Sequence, residues 1–203
     1  MLEGYYFITD SSLSRAGNLS DVRKAIASGV KVVQYREKNA GTKQMYEEAR
    51  KLKSICRGVT FLINDRLDLA LAVGADGVHL GREDLPYKTA RKLLGKNKII
   101  GLTVHSLREA KQAEMQGADY VGISPVFATG TKTDAGRPVG VRLIREIRKH
   151  VSIPIIAIGG INLANAKEVI AAGASGICAI SAVVTKPDIK KEIKKFQALF
   201  CRR

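Results

Sequence analysis

Tryptophan is absent from this chain of 203 residues and aromatics make up only 5% of it, so the core must be built from Val, Ile, Leu and Ala. Cysteine is scarce. Cys56, Cys178 and Cys201 are odd in number and lack metal-ligand spacing, which argues against a disulfide framework and fits a reducing compartment. No apolar run approaches the roughly 18 residues needed to span a bilayer. The start, Met1-Leu2-Glu3-Gly4, lacks the basic opening of a signal peptide. A cytoplasmic protein with no membrane partner is expected. Acidic residues are in deficit: 34 Lys and Arg stand against 19 Asp and Glu, a formal charge of +15. Such a surplus suits nucleic acid, an anionic membrane or acidic small molecules. No base-stacking aromatics are interleaved with the cations, so no nucleic-acid partner is expected. Much of the charge is dispersed, and part falls in the last helix (Lys190, Lys191, Lys194, Lys195, Arg202, Arg203). Linkers and low-complexity segments are also missing, and residues 1–203 read as one catalytic domain.

What the chain does have is alternation. Short apolar runs at 5–9, 31–36, 60–64, 77–80, 99–103, 120–124, 153–158 and 176–180 are separated by helical patterns. The helices are expected at 19–28, 41–56, 69–73, 86–94, 106–116, 140–150, 162–172 and from about Pro187 onward, where Thr185-x-x-Asp188 has capping-box spacing. Strands that alternate with helices pair in parallel, and continuous aliphatic runs mark strands buried on both faces. Eight units predict a single (β/α)8 TIM barrel. An open dinucleotide-binding sheet would carry G-x-G-x-x-G after its first strand, but the turn here is Asp10-Ser11-Ser12-Leu13-Ser14.

A barrel places its active site at the C-terminal ends of its strands. After strand two, Gln34, Arg36 and Lys38 are two apart, so an extended chain puts them on one face. Arg forks onto phosphate oxygens while Lys acts as a point charge, which suits a polyanion. Asn64-Asp65 ends strand three, and Asp84 follows strand four. Two carboxylates beside a basic cluster suit Mg²⁺ held against a pyrophosphate, although either could serve as a cap or turn residue. Thr103 offers a hydroxyl after strand five. His105 reads as a helix-start residue, and His79, with no evident partner, as structural. The loop after strand six carries Thr129-Gly130-Thr131-Lys132, a plausible anion cradle. Strand seven ends in Gly159-Gly160 and strand eight in Ile180-Ser181. Paired glycines let backbone N–H groups approach an oxyanion, and barrels often bind phosphate after strands seven and eight. Two anion regions of different chemistry suggest two phosphorylated substrates, one of them a pyrophosphate with metal.

The segments Gln34-Tyr35-Arg36-Glu37-Lys38, Asn64-Asp65-Arg66, Asp76 to Pro86 (D-G-V-H-L-G-x-E-D-L-P), Thr129 to Lys132, Ala157 to Ile161 (A-I-G-G-I) and Ile180-Ser181 together resemble the thiamine-phosphate synthase family, in its order and over nearly the whole chain. The resemblance implies an enzyme that joins 4-amino-2-methyl-5-hydroxymethylpyrimidine pyrophosphate to a thiazole phosphate. Pyrophosphate is released, with CO2 when the thiazole is carboxylated. It further implies that Gln34, Tyr35, Arg36, Glu37, Lys38, Asn64, Thr103 and Lys132 hold the pyrimidine pyrophosphate. Asp65 and Asp84 would bind one Mg²⁺ per active site. Thr129, Gly130, Thr131, Gly160, Ile180 and Ser181 would hold the thiazole phosphate. The reaction would be dissociative, with pyrophosphate leaving first, and its chemistry would rest on Arg36, Lys38, Thr103 and Lys132 without a general base.

Three positions depart from the family pattern: Thr103 for Ser, Arg82 for Gln, and Ser124 for Gly before Pro125. The related thiazole tautomerases carry a histidine in the loop after strand six, where this chain has Pro125, and lose much of the pyrophosphate set. The sequence leaves the oligomeric state open.

Overall fold

The computed structural model describes residues 2–131 and 136–200. Eight parallel strands close into a barrel in sequence order: β1 (Gly4–Ile8), β2 (Val32–Tyr35), β3 (Thr60–Asn64), β4 (Gly77–Leu80), β5 (Ile99–Val104), β6 (Tyr120–Ile123), β7 (Ile155–Ile158) and β8 (Gly176–Cys178). The intervening helices are α1 (Asn18–Ala27), α2 (Thr42–Ile55), α3 (Leu67–Ala72), α4 (Tyr87–Leu94), α5 (Leu107–Gln116), α6 (Gly140–Arg148) and α7 (Ala166–Ala171). After β8 come α8 (Ile180–Val184) and α9 (Ile189–Gln197). The (β/α)8 expectation holds. No helix among the described residues is long and apolar enough to cross a membrane.

The strands read as unbroken aliphatic runs because they are covered on both faces. Their outer faces (Phe7, Val33, Phe61, Ile63, Val78, Ile100, Val121, Ile155, Ile177) pack with the helices in one large core. Their inner faces form a second, smaller core of Tyr6, Ile8, Val32, Leu62, Tyr120, Ile156 and Cys178 inside the ring. Two strand glycines make room within it. A Cβ at Gly101 would lie 2.0 Å from the Tyr120 ring, and one at Gly122 would lie 2.9 Å from His79 Cε1. The ring closes where Gly4 faces Gly176 and Tyr5 faces Ile177, and across that seam the Tyr5 hydroxyl donates to the Ala179 carbonyl at 3.1 Å.

Three expectations about element ends need correction. The run at 176–180 is not all strand: it stops at Cys178, and Ile180 and Ser181 open the short helix α8. The capping box at 185–188 is not formed. The Asp188 side chain caps α9 by accepting from Lys191 N at 3.0 Å, while the Thr185 hydroxyl donates back to the Ser181 carbonyl. Helix α7 also begins later than expected. Asn162 and Asn165 turn residues 162–165 through side-chain bonds to Ala164 N and Asn162 N, which compete with helical pairing.

Candidate active site

One cavity opens at the C-terminal ends of the strands, and most of the residues expected there line it. Gln34, Arg36 and Lys38 enter it from β2 and the loop beyond. The loop is held from β1: the Thr9 hydroxyl donates to the Arg36 carbonyl at 3.1 Å and accepts from Arg36 N at 2.9 Å. Asp10, buried, takes the Arg36 guanidinium at 3.2 Å. The side chains of Tyr35 and Glu37 do not line the cavity. Tyr35 points outward, and its hydroxyl donates to Glu48 on α2 at 2.8 Å. The Glu37 carboxylate accepts from Lys38 N and Asn39 N at 2.8 Å, bracing the turn. The alternation that puts Gln34, Arg36 and Lys38 on one face necessarily turns these two away.

Asn64 and Asp65 follow on β3. Asp65 has φ 61°, the one positive value on a non-glycine residue among the described residues. Such conformations cost energy and cluster at functional sites. Its carboxylate meets Lys38 Nζ at 2.6 Å; Asp84 does not line the cavity but lies close enough to act on the Asp65 charge. Burial works to raise the Asp65 pKa, but Lys38 and Asp84 outweigh it and hold the carboxyl below its ordinary value. Asp84 moves the other way: burial raises it, the Gly81 amide at 2.6 Å opposes, and Asp65 beside it raises it further. Neighbouring carboxylates favour a cation beside them, and the Lys38 ammonium supplies part of that charge. No cluster of three or more His, Cys, Asp or Glu exists among the described residues, so a cation here would have two carboxylate ligands. That donor set fits Mg²⁺, which completes its octahedron with water and phosphate oxygens.

His79, expected to lack a partner, has several. It lines the cavity, stacks on Tyr120 with ring centroids 5.4 Å apart, and reaches the Tyr120 hydroxyl and Thr103 Oγ1, each at 2.9 Å. Tyr6 and Tyr120 also line the cavity. His105 sits at the start of α5, where its backbone N–H donates to Glu109.

On the far side the lining is neutral. Thr129 and Thr131 face the cavity, and the Thr131 amide donates to the Thr129 hydroxyl at 3.2 Å; Gly130 is exposed and does not line it. Lys132 lies outside the described residues. Gly159 (φ 98°) and Gly160 (φ 64°) line the cavity beside them. Each is glycine for a second reason: a Cβ at Gly159 would lie 2.6 Å from Pro125 Cα, and one at Gly160 2.4 Å from the Ala128 carbonyl. The paired glycines therefore let the loop after β6 lie against the end of β7. Ala179, Ile180 and Ser181 at the start of α8 complete the wall. Of the three departures from the family pattern, Thr103 and Ser124 line the cavity, whereas Arg82 is exposed and does not. Asp10, Tyr6, His79 and Tyr120 are the members that sequence reasoning missed.

Fold and cavity together define a (β/α)8-barrel enzyme with polar and charged groups gathered at the strand ends. The family model described as thiamine monophosphate synthase matches residues 5–183. The chain is 55% identical over 193 residues to the thiamine-phosphate synthase of Methanosarcina barkeri, covering 95% of this chain and 88% of that one. It is 52% identical over 197 residues to the thiamine-phosphate synthase of Chloroflexus aurantiacus, covering 96% and 91%. The solved thiamine phosphate pyrophosphorylase from Pyrococcus furiosus superimposes with a TM-score of 0.88 at 43% identity, over 97% of this chain and 94% of that one. The chain belongs to the thiamine monophosphate synthase family, as a transferase of thiamine biosynthesis.

Proposed function

We propose that this enzyme transfers a pyrimidinylmethyl group from 4-amino-2-methyl-5-hydroxymethylpyrimidine pyrophosphate to thiazole phosphate, or its carboxylated form, yielding thiamine phosphate and pyrophosphate (and CO2). The observation that carries this reading is the division of one cavity into a charged half and a neutral half. Arg36, Lys38, Asn64 and Thr103 hold the pyrophosphate, and Lys132 joins them. Thr129, Thr131, Gly160, Ile180 and Ser181 hold the thiazole phosphate through hydroxyls and backbone N–H groups, as barrels commonly do after strands seven and eight.

Asp65 and Asp84 are the residues that would hold one Mg²⁺, which when bound supplies charge to offset the leaving pyrophosphate. The side chains do the rest. Arg36 and Lys38 neutralise the departing oxygens, and Thr103 donates to them. The neutral half holds the thiazole phosphate so that its ring nitrogen faces the reacting methylene, converting a two-body encounter into a positioned one. No side chain needs to take a proton for the C–N bond to form, so Arg36, Lys38, Thr103 and Lys132 act by position and charge. The two substrates are the partners, and residues 1–203 are one catalytic domain working in the cytoplasm.

Incubating both substrates with and without Mg²⁺, and following thiamine phosphate, tests this reading. Product should form only with Mg²⁺ and should vanish in Asp65→Ala plus Asp84→Ala. Undiminished product from that double variant would refute the assignment.

A further inference from the structure

Five side chains from five strands form one line of hydrogen bonds across the inside of the barrel. Gln34 Nε2 (β2) donates to the Tyr6 hydroxyl (β1) at 2.8 Å. The Tyr6 and Tyr120 (β6) hydroxyls are 3.0 Å apart. Tyr120 lies 2.9 Å from His79 Nδ1 (β4), and His79 Nε2 lies 2.9 Å from Thr103 Oγ1 (β5). Gln34, Tyr6 and Tyr120 are 2%, 3% and 0% exposed, so water does not interrupt the line at these three. The rings of Tyr120 and His79 occupy the space that side chains at Gly101 and Gly122 would fill, so the line is built into the barrel wall.

Proton counting gives the line a direction. Burial keeps both phenols protonated. Each hydroxyl has one proton to give. Tyr6 accepts from the Gln34 amide. If Tyr6 then gives its own proton to Tyr120, Tyr120 is left to give its proton to His79 Nδ1. A neutral imidazole has one donor and one acceptor, so with Nδ1 accepting, the ring proton sits on Nε2 and points at Thr103. Thr103 Oγ1 thus has an acceptor position filled. Its own proton is left to point elsewhere, and its side chain lines the cavity.

We propose that Gln34, Tyr6, Tyr120 and His79 are positioning residues whose hydrogen-bond chain fixes the Thr103 hydroxyl as a donor toward the departing pyrophosphate. The inference rests on the reading above that Thr103 faces the pyrophosphate. A line running the other way would present an oxygen lone pair to an anion, which is repulsive. The chain therefore settles which of two mirror arrangements the site adopts before substrate arrives. This preorganisation costs nothing at the moment of reaction.

Long-range proton–nitrogen NMR of the free enzyme reads the ring directly. Only three histidines are present, and the His79 signal is assigned by its loss in His79→Gln. The expected result is the Nε2-H tautomer, shifting toward a mixture in Tyr120→Phe and Tyr6→Phe, which delete one oxygen each. In kinetics, Tyr120→Phe should lower kcat by about tenfold with KM little changed, the loss expected for a misdirected donor to a charged group. In a Thr103→Val background the same change should cost under about twofold, because the two groups act as one unit. A merely structural tyrosine would give additive losses, which would overturn the proposal. A doubly protonated or Nδ1-H ring in the wild type would overturn it alone, leaving the assigned reaction intact. An Nε2-H ring with full kcat in Thr103→Val would instead overturn the pyrophosphate assignment of Thr103, and the proposal with it.

Discussion

The Asp10 carboxylate grips the Arg36 guanidinium, Oδ2 to Nη1 at 3.2 Å, with the two side chains 4% and 15% exposed. The other Asp10 oxygen is occupied by the Ser12 hydroxyl and the Leu13 amide, so the carboxylate cannot swing away. Removing one partner of a buried pair leaves the other charge uncompensated. Asp10→Ala is expected to lower unfolding free energy by roughly 3 kcal/mol. It should also raise KM for the pyrimidine pyrophosphate by about tenfold, because Arg36 loses its fixed direction. Urea denaturation and steady-state kinetics measure both, and an unchanged KM would show that Arg36 needs no such anchor.

Gly160→Ala should separate the two halves of the cavity. The new methyl would fall 2.4 Å from the Ala128 carbonyl at φ 64° and would push the Thr129–Thr131 loop outward. Stability should drop by at least about 1 kcal/mol, since the backbone conformation itself disfavours alanine. Calorimetric titration should find thiazole phosphate binding weakened by about tenfold. Binding of the pyrimidine substrate should be nearly untouched, and equal losses for both would contradict the division.

Asp21 gives a pH signature. It is 1% exposed, one oxygen takes the Ser14 hydroxyl at 2.5 Å, and the other has no hydrogen-bond partner. Burial raises its pKa above 3.8, with Ser14 and Lys24 opposing. A raised folded pKa means that its stabilising contribution is complete below the unfolded value and is lost as pH rises through the folded one. At neutral pH the carboxylate is therefore ionised at a cost. Asp21→Asn should raise stability by roughly 1 kcal/mol at about pH 7. The gain should fade toward about pH 3, where both states bind the proton. Thermal melts across that range would show it, and a gain that grows on acidification would reverse the sign.

Asp188→Ala should cost about 1 kcal/mol through loss of the α9 cap, and Thr185→Ala much less. Paired thermal denaturation decides between this cap and the capping box suggested by the sequence, which would make the Thr185 variant the costlier one.

The strands were legible because a barrel strand is dry on both sides and shows it as an aliphatic run, as at residues 60–64 and 77–80, where the expected and observed bounds agree. The polar residues just beyond the strand runs were legible for the same reason: Lys38 after 31–36 and Asp65 after 60–64 have no business in a dry segment. Helix α8 was not, since apart from Ser181 the segment Ile180–Val184 is apolar and follows the β8 run without a turn signal. Tyr6, His79 and Tyr120 were missed because their meeting depends on which face of each strand turns inward once the ring has closed. The one local hint was glycine inside a strand, at Gly101 and Gly122, which often marks a close approach by something else. Asp10 gave a weaker hint, an acidic residue at the mouth end of the first strand.

The β1–β8 seam has a further bearing on how the chain is made. Tyr5 and Ala179 are 174 residues apart, so the seam cannot form until both ends of the barrel have been made. Gln34, Arg36, Lys38 and Asp65 leave the ribosome well before Gly160 and Ser181. For that interval β1 has one edge without a neighbour, open to strand addition from another nascent chain. The hazard of aggregation therefore falls on the N-terminal half during translation, and arrival of Gly176–Cys178 ends it.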